Sequence, residues 1–281
     1  MPIVKLPNFI KKDYILKVSS AALTAIREGQ RSHLHECING LSLAHHLAGQ
    51  LPYFYRDPQK LAKEFAEEMA KRRNALDLLY DLTVKMPTTA KFQQSHCGEI
   101  LSALFLEEVL DLRRLMCKLT LTTAENTNVH KMDGFFVDTS TDPMTFYAVE
   151  AKSSILPTKD TKARGHRYGI LGQLISSLEK YGAVDERFDF TTVRDNLETS
   201  FSATEQEAIK SELFPPGPKN LVRLGMAVIN ECTVDIKDDD YVLTQDCAVD
   251  FTFRAITVAN LAGLSEAAYN NVFKLQGWQN V

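Results

Sequence analysis

Apolar and polar positions along the chain change period several times, and each change marks an element. Within residues 1–50 short apolar clusters alternate with polar ones, and Ala21-Ala-Leu-Thr-Ala-Ile26 and Leu41-Ser-Leu-Ala-His-His-Leu47 have the spacing of helix fragments. Asp57-Pro58 is a helix start, an N-cap acid followed by a residue that needs no N–H partner. Leu61, Phe65, Met69, Leu76 and Leu79 continue its apolar stripe over roughly 58 to 84. Met86-Pro87 ends that element, and a new helix takes up near Gln93. Along it Leu101, Leu104, Phe105, Glu108 and Leu112 recur at three and four.

The period then falls to that of strands. Residues 115 to 123 read as a first strand and Glu125-Asn-Thr-Asn128 as a turn. Asp133-Gly-Phe-Phe-Val-Asp138 and Thr145-Phe-Tyr-Ala-Val-Glu-Ala-Lys152, rich in aromatic and β-branched residues, form a hairpin about the polar group Thr139 to Pro143. Beyond it the pattern predicts a helix over 168 to 181, with Ile170, Leu171, Leu174, Ile175 and Leu178 on one side and Gln173 on another. A polar helical excursion occupies 182 to 220, opened by the capping box Ser202-Ala-Thr-Glu205 and closed by Pro215-Pro-Gly-Pro218. Strands at 221–229 and 249–258 follow, and Ser265 caps a last helix running to about Leu275. The expected architecture is α/β, a mixed sheet flanked by helices over 91–281, preceded by an N-terminal helical region over 1–90.

Composition narrows the class. A chain of 281 residues with 44% hydrophobic and 24% charged residues is expected to be a soluble globular protein. No apolar run approaches the roughly 20 residues of a membrane span, and no signal-peptide pattern opens the chain, so a cytoplasmic protein without membrane contact is expected. Five cysteines without CxxC spacing fit reduced thiols. His33, His35, Cys37, His45 and His46 crowd in sequence but lack the paired frame of a zinc site, and ordinary core or surface histidines are the expectation there. The net charge of −4 supplies no global positive field for nucleic acid, so such contacts must be local or come from a partner. Lys71-Arg72-Arg73 fits a solvated helix face. Lys159, Lys162, Arg164 and Arg167, set against one acid, form the densest basic segment and suit phosphate-backbone contacts, a solvated loop being the alternative.

Candidate chemistry follows from the hairpin register. With the turn centred between Thr141 and Asp142, Val137 stands opposite Phe146 and Asp133 opposite Glu150. Two carboxylates then face each other across the strands, an arrangement that destabilises a sheet unless a cation lies between them. Side-chain alternation adds Lys152 to the face of Glu150. Gly98 allows the upstream helix to approach the sheet closely. Glu99 beside it has two readings, a site acid or a carboxylate favoured by the dipole of a helix start.

The order of helix with Gly-Glu, strand, strand with Asp-Gly, strand with Glu-x-Lys, and helix with Gln is similar to the restriction-endonuclease-like core of the PD-(D/E)xK nucleases. Met132 stands where the motif has its proline. More narrowly, Cys97-Gly-Glu-Ile-Leu101, Lys131-Met-Asp-Gly-Phe135 and Val149-Glu-Ala-Lys152 resemble the HamA family, the effectors of the Hachiman anti-phage system, at motif level over about 90 to 180. The resemblance implies a metal-dependent nuclease acting on DNA and restrained by a superfamily-2 helicase partner, HamB. It implies Asp133 and Glu150 as metal ligands with the Ala151 backbone carbonyl, Lys152 as the catalytic lysine, Glu99 as the helix acid and Gln173 as an auxiliary residue. The implied metal is Mg²⁺, with Mn²⁺ as a substitute. The rival expectations are a non-catalytic binding module on the same fold and a stand-alone restriction endonuclease.

Overall fold

Runs of apolar and β-branched residues between 134 and 258 build the centre of one mixed sheet, and the chain before them supplies helices and the outer strands at both edges. The computed structural model describes residues 5–17, 28–70, 83–121, 132–155, 169–180, 183–197, 201–231 and 250–277. In chain order the larger elements are β1 (Ile10–Lys17), β2 (Glu28–Leu34), β3 (Cys37–Ile38), β4 (Leu41–Ser42), α1 (Leu43–Gln50), α2 (Pro52–Tyr55), α3 (Pro58–Ala70), α4 (Ala90–Glu108) and β5 (Arg113–Cys117). They continue with β6 (Gly134–Asp138), β7 (Thr145–Ser154), α5 (Gly169–Lys180), α6 (Ala183–Asn196), α7 (Ala203–Glu212), β8 (Asn220–Asn230), β9 (Thr252–Val258) and α8 (Leu261–Gly277).

Seven strands join in the order β1-β2-β9-β8-β7-β6-β5. β5, β6 and β7 are antiparallel, β7, β8, β9 and β2 run parallel, and β1 returns antiparallel on β2. The parallel link from β7 to β8 requires a crossover, and α5 to α7 provide it. Apolar side chains cover both faces of the sheet. On one face Leu101, Leu104 and Phe105 of α4 join Tyr269 and Val272 of α8, Leu43 and Leu47 of α1, and Val149, Met226 and Ile256 of the sheet. On the other, Leu171, Leu174, Ile175 and Leu178 of α5 pack on Ala148, Ala227 and Phe253, with Phe190 and Val193 of α6 behind them. A helix so placed needs apolar residues nearly all round, and every residue from Ile100 to Leu106 of α4 is buried.

The expected hairpin holds its register, with Val137 opposite Phe146 and the ladder running to Gly134 opposite Val149. α3 begins where Asp57-Pro58 predicts, Asp57 Oδ1 accepting the Lys60 N–H at 2.9 Å. α7 opens with the expected capping box, Ser202 N–H donating to Glu205 Oε2 at 2.7 Å.

Four expectations are corrected. The N-terminal region is not simply helical, because β1 and β2 add two strands to the sheet. They were illegible as strands because their polar side chains are satisfied across the sheet, Ser32 on Asp13, Arg254 on Gln30 and Thr257 on His33 at 2.6 Å. Residue 90 is no break in packing either, since Leu6, Phe9 and Leu34 share one core with α4 and α8. The strand read through to 123 stops at Cys117, and a short 3₁₀ turn, Lys118–Leu121, takes the chain off the sheet edge. α8 starts before Ser265: Asn260 Oδ1 accepts the Gly263 N–H at 3.0 Å, and Ser265 lies buried inside the helix. The helix fragment at 21–26, the stripe positions Leu76 and Leu79, Lys71 to Arg73, the turn at 125–128 and the basic segment with Lys159, Lys162, Arg164 and Arg167 lie outside the described residues.

Candidate active site

Gly98 sets the distance between α4 and the sheet. A Cβ at this position would lie 2.4 Å from Ser153 Cβ, and the Ser153 hydroxyl donates to the Gln94 carbonyl at 3.2 Å, so helix and β7 meet almost backbone to backbone. Glu99, the next residue, is thereby carried to the strand ends. α4 begins at Ala90, with Thr89 as its N-cap, which places Glu99 in the third turn. The dipole explanation for this acid therefore fails, because that effect is confined to the first turn.

Asp133 stands one residue beyond the last Cα pair of the hairpin. Its N–H donates to the Val149 carbonyl at 3.0 Å and its own carbonyl accepts from the Lys118 N–H at 3.1 Å. Its side chain continues the ladder where the backbone stops: Oδ2 accepts the Ala151 N–H at 2.7 Å. The second oxygen, Oδ1, accepts from the Lys118 ammonium, whose Nζ lies 3.8 Å from Glu99 Oε1. Glu150 and Lys152, on the same face of β7, form their own ion pair. Asp133 and Glu150 are each 7% exposed, and Glu99 Oε2 is buried without a hydrogen-bond partner, as is Ser102 Oγ one turn along α4. Glu99, Ser102, Asp133 and Ala151 line a small cavity between helix and sheet.

Lys118 thus serves Asp133 and Glu99 beside α4, while Lys152 serves Glu150, which strand alternation turns away from Val149, Ala151 and Ser153; the two groups of charges still act on one another. Burial and the nearby Asp133 charge lift Glu99 to about 8, and the same two causes lift Glu150 to about 7. For both lysines burial favours the neutral form, but the carboxylates outweigh it, Asp133 and Glu99 at Lys118 and Asp133 and Glu150 at Lys152, and both stay above the ordinary lysine value. Behind the site, His96 Nδ1 bonds the Tyr55 hydroxyl at 2.7 Å, which in turn meets the Tyr269 hydroxyl at 2.8 Å. This buried relay ties α4 to α2 and α8. Burial, then the Lys118 charge, lowers His96 to about 4.

The structure brings together four of the five expected catalytic residues, Glu99, Asp133, Glu150 and Lys152. Gln173 lies half-buried on α5 and joins none of these contacts among the described residues. Lys118 was not foreseen. It is the single charge in Leu115-Met-Cys-Lys-Leu119, and a lone cation inside an otherwise apolar buried run is itself a signal of a buried partner. His33 and His46 are used separately, on Thr257 and Glu108.

The donor set suits a hard divalent cation: the carboxylates of Asp133 and Glu150 and the Ala151 carbonyl. In an extended strand the two polar groups of one residue point to the same side, so that carbonyl issues from the edge whose N–H meets Asp133. As the side chains stand, no three His, Cys, Asp or Glu groups among the described residues are gathered to enclose a metal. At this site Asp133 and Glu150 are each paired with a lysine.

Among the described residues no helix is long and apolar enough to cross a membrane. No curated protein matches the chain. Residues 41–261, which include all of the acids and lysines above, match the family model HamA, and the chain therefore belongs to the HamA family of the Hachiman defence system.

Proposed function

We propose that this chain is a metal-dependent nuclease with a PD-(D/E)xK core, hydrolysing DNA phosphodiester bonds as the effector of its defence system and restrained by a HamB-like superfamily-2 helicase. The observation that carries the reading is the meeting of Glu99, Asp133, Glu150 and Lys152 at one end of the β6–β7 hairpin, on a succession α4-β5-β6-β7-α5-β8. A structural ion-pair cluster would not need a carboxylate oxygen buried and unpartnered on the helix that Gly98 seats against β7.

Asp133, Glu150 and the Ala151 carbonyl would hold Mg²⁺ or Mn²⁺. When bound, the metal offsets charge on the phosphoryl oxygens and acidifies water. The chain's own groups do the rest. The Ala151 N–H fixes the rotamer of Asp133, so this ligand is set before any metal arrives. Lys152, 26% exposed at its side chain, is the cation within reach of the approach to the site, placed to orient the attacking water and to counter charge building on the phosphate. The basic segment with Lys159, Lys162, Arg164 and Arg167 follows β7 directly in sequence, where it would hold the flanking phosphates.

The test is cleavage of plasmid DNA by purified wild type, Asp133→Ala and Lys152→Ala with Mg²⁺ or Mn²⁺ present. Loss of cleavage in both variants with the fold retained by circular dichroism is expected; wild-type nicking by Lys152→Ala sinks the assignment. Restraint is tested in cells at matched protein levels. Toxicity of the chain alone is expected to require Lys152 and to be relieved by the helicase, and equal growth in all arms contradicts it.

A further inference from the structure

Resting on the reading of this site as a metal centre, we infer that Lys118 occupies the metal position in the unloaded protein and that Glu99 receives its ammonium group when the metal enters. Asp133 has two oxygens, and Oδ2 is committed to the Ala151 N–H at 2.7 Å. Oδ1 is the oxygen left for a cation, and Lys118 holds it. A magnesium ion bonds oxygen at about 2.0–2.1 Å, and a divalent ion and an ammonium pressed onto one oxygen repel each other, so loading displaces Lys118. The displaced group has a destination. Glu99 Oε1 is 3.8 Å from Lys118 Nζ, and the other oxygen of this carboxyl, Oε2, is buried with no partner. Glu99 is then a positioning residue that acts through Lys118, distinct from a direct ligand. Metal uptake becomes an exchange of cations in which neither Asp133 nor Glu99 is left without one, Glu150 keeping Lys152 throughout.

The test measures Mn²⁺ binding to the full chain by titration calorimetry and by the paramagnetic resonance of free Mn²⁺, without substrate. Lys118→Met, with Lys118→Gln as a second neutral variant should the first fail to fold, is expected to bind Mn²⁺ about tenfold more tightly, the scale at which neighbours of a ligand tune affinity. Glu99→Gln is expected to weaken binding by about the same factor in the wild-type background and to have no effect in the Lys118→Met background, since there is then no ammonium to receive. Equal weakening by Glu99→Gln in both backgrounds makes Glu99 a direct ligand and overturns the exchange. Wild type that binds Mn²⁺ as tightly as Lys118→Met overturns it while leaving the metal centre standing. No binding by any of the proteins removes both.

Discussion

Strand β6 has an aspartate at each end, and the two live in opposite surroundings. Asp138, its last residue, turns its carboxylate onto the backbone N–H and hydroxyl of Ser140, at 2.8 and 2.6 Å, at an exposed turn. That is local chemistry, in which a short acid closes its own bend. Asp133, just before the strand, is buried and satisfied by groups distant in sequence, the Ala151 N–H and the Lys118 ammonium. Burying a charge is costly unless it is paired. Asp138 has a conformational reason to be there, whereas Asp133 is held by tertiary partners alone, which is the contrast the proposed metal role is tested on.

The largest expected effect separates the two residues by activity. Asp133→Ala is expected to lower Mg²⁺-dependent DNA cleavage by at least about 10²-fold, and Asp138→Ala to leave it within about twofold, measured as initial rates at saturating metal. Chelation by EDTA brings wild type down to the level of Asp133→Ala. A large loss in Asp138→Ala would erase the contrast.

The next effect concerns the relay behind Asp133. His96 has a folded value of about 4 against 6.5 for a free imidazole, so between these values only the unfolded chain takes up the proton. Stability contributed by the neutral ring is complete above about 6.5 and is lost as pH falls towards 4, by about 3 kcal/mol in all. Denaturant melts of wild type and His96→Gln at stepped pH are expected to differ in slope over that window and to run parallel above it.

A third effect tests the seating of α4. Gly98→Ala places a methyl group 2.4 Å from Ser153 Cβ and is expected to cost about 2 kcal/mol. Ser153→Gly in the same chain removes the clash and is expected to recover most of it. The smallest effect belongs to the exposed end, where Asp138→Ala is expected to cost about 1 kcal/mol or less, since water replaces the lost bonds.

Much of this was legible because the signals were local. Thr139 to Pro143 mark the hairpin, and its register, running from Asp138 opposite Thr145 to Gly134 opposite Val149, brings Asp133 to the strand end beside Glu150 and Ala151. The stripe of α5 and the capping box at Ser202 were equally plain. Two things were hidden. Strand β1 opens on Ile-Lys-Lys-Asp and β2 reads Glu-Gly-Gln-Arg-Ser-His-Leu, polar stretches whose side chains find partners across the sheet, for β2 more than 200 residues away at Arg254 and Thr257. Lys118 was hidden by a strand boundary: read as part of an alternating strand it faces solvent, and only the turn after Cys117 aims it at Asp133.

β7 has four strands on one side of it and two on the other. Glu150, Ala151 and Lys152 therefore hang from backbone paired with Gly225, Met226 and Ala227 of β8, in the interior of the sheet. Amides in such a strand exchange with solvent deuterium only when the whole sheet opens, whereas those of edge strands exchange through fraying. A regulator that silences this chain cannot do so by loosening β7 without unfolding the molecule. The proposed restraint is expected to act at the strand ends, and in a deuterium-uptake comparison of free and restrained protein its imprint belongs on the loops there, with the amides of β7 unchanged.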